Sequence, residues 1–321
     1  MRLGGPARYV IEVESPEEVR EAYKFAREKN LPTFVLGGGA NTIAKDAGFD
    51  GVIIKNVARG VEFDEKDGSV MVRITGGTEW DAAVEATVAR GLTGIEALSK
   101  IPGLSGAAPV QNIGAYGQDI SQVFASAEVY DSLNDEFRTL NKADFGFSYR
   151  KSILNTSEKG RYFVGAIVLR LGYGQMTRPF YNSVERYIEA KGISDFSPRA
   201  IREIVSEIRA DKLPDPRVKA SAGSFFKNIY LSEAEAKEAE AKGYPVYHGH
   251  DGLKINSGWL IEECGLKGSL LHGMRVNPKA ALVLINESAT SYDDLAAARS
   301  EIIEAVREKF GYTLEQEPVE I

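Results

Sequence analysis

The sequence predicts an α+β protein built in two portions, and three observations carry that expectation. The chain has 321 residues, a length that suits two domains. It opens strand–helix–strand and passes into β-hairpins, whereas a second mixed run of helices and strands begins only after Ser197-Pro198. Between them lies 173–196, a segment of different character with Gly172-Tyr173-Gly174, Pro179 and aromatics at Phe180, Tyr181, Tyr187 and Phe196. It reads as an insertion at a domain boundary.

In chain order, Val10–Val13 is a predicted strand. Ser15-Pro16-Glu17-Glu18 then supplies an N-cap, a proline at the first helical position and an acid three residues after the cap. The helix should run to about Lys29, followed by a strand over 32–36. A strand over 50–54 follows a turn, and Asp67-Gly68 marks a hairpin between Val61–Phe63 and Val70–Ile74. Trp80, Ala83, Val84 and Val88 keep helical spacing within 78–90, with Gly91 as the stop. Strands are expected at Ala125–Tyr130 and Phe137–Leu140, joined through Asn134-Asp135, and at Phe163–Leu171. The second portion should hold a helix over 199–209, a strand-like stretch over 220–228, helices over 232–242 and 257–264, a strand over 282–286 and a helix over 292–310.

Composition excludes several function classes. The chain is 43% hydrophobic and 26% charged, as ordinary globular proteins are. A net charge of −7 offers no polybasic field to nucleic acid or an anionic membrane. The longest apolar run, AALVLI at Ala280–Ile285, falls far short of the ~20 residues of a membrane span. The opening MRLGGPARYV lacks an apolar h-region, so no signal peptide is expected. One cysteine, Cys264, permits no internal disulfide and fits a reducing compartment. The histidines, at 248, 250 and 272, do not form a metal-ligand pattern.

The rest of the chain is organised around Ile101–Gly117, IPGLSGAAPVQNIGAYG. A run with four glycines, two prolines and three alanines is expected to lie outside the core, because glycine gives up packing and costs roughly 0.5–1 kcal/mol in a regular element. Such a run suits a backbone that must turn tightly or lie against something flat. Gln111, Asn112 and Tyr116 within it can hydrogen-bond a polar ring edge. A cradle for a large cofactor and a long surface loop both fit; Ile101, Leu104, Val110 and Ile113 argue against a loose loop. A second glycine turn, Gly37-Gly38-Gly39-Ala40-Asn41, ends a strand, where successive N–H groups form an anion site. It is neither a Walker loop, lacking Gly-Lys-Ser/Thr, nor a Rossmann turn, since Thr42 stands where the third glycine belongs.

Three further places could carry chemistry. Arg150 follows Phe145–Tyr149, and its planar fork can grip a carboxylate or phosphate or simply stack on a surface. Ser224 sits in SAGSFFKN, with small residues opening space before it and a Phe pair behind. Glu315 and Glu317 close the chain in LEQEPVEI. No Ser-His-Asp arrangement is present.

Taken in order, LGGGAN (36–41), IPGLSGAAPVQNIGAYG (101–117), FSYRKS (147–152), KLPDP (212–216), AGSFFKN (222–228), SGWLIEECGLKG (257–268) and LVLIN (282–286) resemble the UDP-N-acetylenolpyruvoylglucosamine reductase family of peptidoglycan precursor synthesis. The likeness covers about residues 3–317, and the aromatic insertion resembles the type I branch with its tyrosine loop over the substrate. The resemblance implies a two-subdomain FAD-binding module of the vanillyl-alcohol-oxidase/PCMH type over 1–172, split near 56. The tyrosine-loop insertion would be 173–196. A smaller α+β domain over 197–321 would bind the UDP-sugar, its C-terminal strand returning to the active site. FAD would be held non-covalently: Gly37, Gly38, Gly39, Ala40 and Asn41 on the pyrophosphate, Gly106, Ala107, Ala108, Pro109, Gln111, Asn112, Ile113, Gly114, Ala115, Tyr116 and Gly117 on the flavin side, with Arg209 also on the cofactor. NADPH would reduce FAD and leave, and the enolpyruvyl UDP-sugar would take its place. Hydride would pass from flavin N5 to C3. Arg150 would steady the charge developing toward the carboxylate, Ser224 would protonate C2 and Glu317 would assist the enol. Tyr181, Lys212, Asn228, Tyr247 and Lys254 would contact substrate. The protein would be a cytoplasmic monomer without nucleic-acid or membrane partners.

The chain departs from the family pattern in places. Ala40 replaces a usual serine, Ile229 a usual proline, and the ending is longer than the usual LEPEV, which leaves Glu315 beside Glu317 as a candidate carboxylate. The start lacks a few residues that usually precede this motif, as a trimmed or mis-started N-terminus would. Another FAD-dependent sugar or alcohol oxidoreductase of the same module remains an alternative. No His precedes His248, so a covalent histidyl tether in the flavin half is impossible. A nucleotide-sugar binder without turnover is the other alternative, and it would be colourless.

Overall fold

The computed structural model describes residues 1–66, 68–249 and 252–321. The chain divides into an N-proximal unit, Ala7–Gly39 with Asp50–Arg209, and a C-proximal unit, Met1–Pro6 with Ala40–Phe49 and Ala210–Ile321.

In the N-proximal unit, Ala7–Val13, Phe49–Asn56 and Thr33–Val35 form a sheet in that order, the last two strands parallel. Parallel strands need a crossover, which residues 36–48 make, while the helix Pro16–Glu28 joins Ala7–Val13 to Thr33–Val35. Its start is as the sequence predicts: the Ser15 hydroxyl accepts from Glu18 N at 3.2 Å, with Pro16 at the first turn. Val19, Ala22, Tyr23 and Ala26 bury one face against Val13, Val52, Ile54, Tyr130 and Phe163. The larger sheet runs Glu136–Asn141, Phe124–Asp131, Tyr162–Tyr173, Ser69–Thr75, Val61–Lys66, antiparallel throughout. Lys66 lies opposite Ser69 across the expected hairpin; Asp67 itself lies outside the described residues. The helix Trp80–Ala89 buries Trp80, Ala83, Val84 and Val88 in this sheet's core, and Gly91, at φ +72°, ends it. Full burial of a side chain such as Phe145 contributes about 1.5–3 kcal/mol.

The aromatic segment holds an element that its composition conceals. Asn182–Lys191 is a helix whose Val184 and Ile188 pack with Phe180, Ile201, Ile204, Val205 and Ile208, the last four from the next helix, Pro198–Lys212. Val184, Tyr187 and Ile188 carry the i, i+3, i+4 spacing that marks it.

In the C-proximal unit, Ser221–Ser224, Val283–Asn286, Met274–Val276 and Leu270–Leu271 form one antiparallel sheet. Ile229–Leu231, Gly252–Ile255 and Tyr247–Gly249 form a second. The helices are Glu233–Ala241, Ser257–Glu263 and Tyr292–Phe310; Ser232 with Glu235, and Ser291 with Asp294, close reciprocal capping boxes on the first and last. The C-terminal strand Val319–Glu320 pairs in parallel with Thr42–Ile43. Among the described residues no helix is long and apolar enough to cross a membrane.

Candidate functional site

The glycine turn begins where the strand Thr33–Val35 ends. Leu36 N still donates to Ile54 O at 3.0 Å, but among the described residues no backbone carbonyl accepts from Gly37, Gly38 or Gly39. Gly39 is left-handed at φ +66°, with nothing within 4 Å of where a Cβ would sit. Three successive N–H groups without a backbone partner have the donor set of an anion-binding nest.

The second glycine run lies against the first. A Cβ on Gly38 would come 3.1 Å from Gly103 Cα, and one on Gly37 3.0 Å from the Ala107 methyl. The run is not wholly outside the core, contrary to expectation. Ser105 and Ala108 are buried in and around a 3₁₀ turn, Ser105–Ala107, and Ala108 joins the main core. Gly106 lies on the neighbouring backbone, where a Cβ would meet Gly76 Cα at 3.1 Å and Val164 O at 3.2 Å. Small residues therefore do two things here: some let backbones touch, while Gly117, at φ +88° with no neighbour within 4 Å of a Cβ, keeps a face open. Gly114–Ala115 pairs with Gln118–Asp119 as a tight hairpin closing the run. Such a half-buried bed of backbone and small side chains fits a flat, polar-edged cofactor.

Two side chains tie this bed to the segment carrying Arg150. Asn112 is buried at φ +43°; its amide donates to Ser148 O at 3.3 Å and accepts from Ser121 N at 3.1 Å. Ser152 Oγ donates to Val110 O at 2.8 Å. Arg150 is itself left-handed, at φ +54°, its carbonyl held by Asn155 Nδ2 at 3.0 Å. Its guanidinium reaches the bed: Nη2 donates to Gly114 O at 3.1 Å. The same unit brings Tyr116, Tyr181 and Arg209 together. The ring of Tyr181 meets Tyr116 edge-on at 5.8 Å, and the Tyr116 hydroxyl is hydrogen-bonded to Arg209. Burial raises the Tyr116 pKa against the pull of Arg209, and burial lowers that of Arg209 against Tyr116. A desolvated guanidinium of this kind attracts an anionic partner.

Sequence reasoning missed an ion pair on the helix that carries Arg209. Arg202, about two turns before Arg209 on the helix Pro198–Lys212, grips Asp81 with both terminal nitrogens at 2.6 and 3.1 Å, and Lys100 Nζ joins at 2.9 Å. Nothing in the local sequence marks this long-range pair.

The remaining candidates lie in the C-proximal unit. Ser224 ends its strand exposed, just after the left-handed Gly223, while Phe225 and Phe226 behind it are fully buried. The chain end runs alongside: Glu317 N donates to Phe225 O at 2.9 Å, and Gln316 bridges Phe226 antiparallel. Ser224 and Glu317 are thus neighbours across two strands. Glu315 is engaged differently, its carboxylate taken by Lys227 on the exposed side. Lys254 stands in register between Tyr230 and Tyr247 and reaches the Tyr230 hydroxyl at 3.4 Å. Tyr230, absent from the expected set, sits in a strand too short to show periodicity. Asn228 Oδ1 accepts from Ser257 N at 3.2 Å. Lys212, exposed at the end of its helix, offers its carbonyl to Asn277 Nδ2 at 3.1 Å. Among the described residues no three His, Cys, Asp or Glu form a metal-holding group; His250 lies outside them.

Residues 7–140 match the family model described as FAD binding domain, and residues 215–321 the one described as UDP-N-acetylenolpyruvoylglucosamine reductase, C-terminal domain. The UDP-N-acetylenolpyruvoylglucosamine reductase of Burkholderia multivorans is 39% identical, over 98% of this chain and 91% of its own. That of Vibrio parahaemolyticus is 36% identical, over 96% and 88%. In fold, the chain is similar to the Thermus caldophilus UDP-N-acetylenolpyruvylglucosamine reductase, with a TM-score of 0.63, 23% identity and coverage of 97% and 91%. It is also similar to 6-hydroxy-D-nicotine oxidase from Arthrobacter nicotinovorans, with a TM-score of 0.53, 13% identity and coverage of 96% and 83%. The expected α+β class, an FAD-binding module with a smaller α+β domain, accords with these findings.

Proposed function

The chain belongs to the UDP-N-acetylenolpyruvoylglucosamine reductase family, and from that premise we propose that it reduces UDP-N-acetylglucosamine enolpyruvate to UDP-N-acetylmuramate with NADPH. Non-covalently bound FAD would supply the hydride chemistry, which no side chain provides. The N–H groups of Gly37–Asn41 would hold the pyrophosphate and 106–117 would bed the ring, with Arg209 also on the cofactor.

The observation that best supports this reading is the seating of Arg150 on that bed, 3.1 Å from Gly114 O. Addition of hydride at C3 of the enolpyruvyl group leaves negative charge spread from C2 into the carboxylate. A fixed guanidinium stabilises that charge where it develops. Ser224 gives its hydroxyl proton to C2. Serine is a weak acid at neutral pH, but an enolate-like carbon is a much stronger base, so aligned transfer runs downhill. Glu317 assists the enol form. Tyr181, Lys212, Asn228, Tyr247 and Lys254 hold the UDP-sugar, the lysines offsetting its diphosphate in an acidic protein. The working division is 1–172 for FAD with subdomains meeting near 56, 173–196 for the tyrosine segment and 197–321 for the sugar. The enzyme works as a cytoplasmic monomer.

An anaerobic spectral titration tests the reading. NADPH should bleach the yellow protein, and the enolpyruvyl UDP-sugar should then restore its colour. Bleached protein that stays colourless on adding that sugar would overturn the proposal.

A further inference from the structure

The last turn of chain is pinned by a residue outside the candidate set. Glu320, in the strand Val319–Glu320, points its carboxylate at a cluster of donors. Oε1 accepts from Arg299 Nη1 at 2.5 Å, Tyr292 OH at 2.8 Å and Gln316 Nε2 at 3.3 Å; Lys45 Nζ stands 3.8 Å from Oε2. The same Arg299 nitrogen donates to Gln316 Oε1 at 2.7 Å, and Gln316 Nε2 to Pro318 O at 2.8 Å. Arg299 and Tyr292 stand on the helix Tyr292–Phe310, a rigid element. Gln316 and Glu320 thus straddle Glu317, and both are fastened to one guanidinium. On its other neighbour the segment is fastened by Glu317 N to Phe225 O and Lys227 N to Glu315 O, at 2.9 and 2.8 Å.

We infer that Glu320 is a positioning residue: through Arg299 and Gln316 it sets where the Glu317 carboxylate lies beside the Ser224 strand. The inference rests on the reading of Glu317 as the assisting carboxylate. The Glu320 carboxylate is engaged by donors of the chain itself. Its effect reaches the reaction only through Glu317, since a misplacement of about 1 Å can cost 10²-fold in rate.

The test is a double-mutant cycle read in half-reactions on the FAD-loaded enzyme. Glu320→Gln keeps the shape and removes the charge that binds Arg299 and Lys45. It should slow flavin reoxidation by the enolpyruvyl UDP-sugar roughly ten- to hundredfold, while flavin reduction by NADPH and the KM for the sugar stay within about twofold. Glu317→Gln with Glu320→Gln should be no slower than Glu317→Gln alone, because residues acting as one unit are not additive. Additive losses, or equal slowing of both half-reactions, would overturn the inference. Full-rate reoxidation in Glu317→Gln would instead sink the reading beneath it. If Glu320→Gln does not fold, Arg299→Lys replaces it in the same cycle, with the same expected non-additivity.

Discussion

Gly38 and Gly103, far apart in sequence, meet so closely that a methyl on the first would sit 3.1 Å from the Cα of the second. Gly38 is exposed, so little core packing depends on it. An added Cβ must part the two glycine runs, because the obstacle is backbone and cannot swing aside. Gly38→Ala should weaken FAD binding about tenfold, near 1.4 kcal/mol, with a small change in melting temperature. Flavin retained after gel filtration, with FAD titrated back, measures it.

Gly106 should behave in the opposite way. Its neighbours are Gly76 Cα and Val164 O, at 3.1 and 3.2 Å from a would-be Cβ, and overpacking of this kind costs about 1–3 kcal/mol. Gly106→Ala should therefore lower the melting temperature of the FAD-free protein itself. Gly117→Ala, with open space around it, should be felt mainly as backbone strain of roughly 1–2 kcal/mol. A larger loss at 117 than at 106 would contradict the division of roles among these glycines.

Ser224→Ala should leave NADPH-driven flavin reduction intact and slow reoxidation by the enolpyruvyl sugar about 10²–10⁴-fold. Stopped-flow absorbance separates the two halves. Unchanged reoxidation would remove the hydroxyl from the chemistry.

The two terminal glutamates should part company. Glu315 is held by Lys227 at the exposed side, and an exposed pair contributes about 0–1 kcal/mol. Glu315→Gln should turn over nearly as the parent does, whereas Glu317→Gln should lose at least tenfold in kcat. Steady-state kinetics of both variants in one buffer decides.

Asp81 makes the acid side of stability measurable. Burial pushes its pKa up, but Arg202 and Lys100 outweigh burial and hold it at about 2, against an ordinary 3.8. The folded value lies below the unfolded one, so the carboxylate stabilises the protein above about pH 4. That contribution, on the order of 2 kcal/mol, fades as pH falls toward 2. Asp81→Asn should melt well below the parent at pH 7, and the gap should narrow by pH 3. A gap independent of pH would refute the assignment.

Much of this was legible in residues alone, for local reasons. Ser15-Pro16, the spacing of Trp80 to Val88 and the run 292–310 are decided within one or two turns of chain. The glycine runs and SAGSFFKN were legible as unusual, and their order carried the family. The helix Asn182–Lys191 was masked by aromatic composition. The small sheet around Lys254, the Asp81–Arg202 grip and the Glu320 cluster were not legible, because strands of three or four residues have no measurable period and partners so distant leave no local trace. The burial of Ser105 and Ala108 was missed because small side chains suggest exposure, although they pack well where backbones nearly touch.

The pairing of Thr42–Ile43 with Val319–Glu320 has a consequence for biosynthesis. The ribosome emits the first of these strands early and its partner only after nearly all the rest has been translated. The N-proximal unit has every one of its segments by Arg209 and is free to fold while synthesis continues. The stretch Ala40–Phe49 must wait, its edge uncovered, for a partner still inside the exit tunnel. Nascent chains halted before Val319 should therefore be cut by protease in that stretch, while released chains resist.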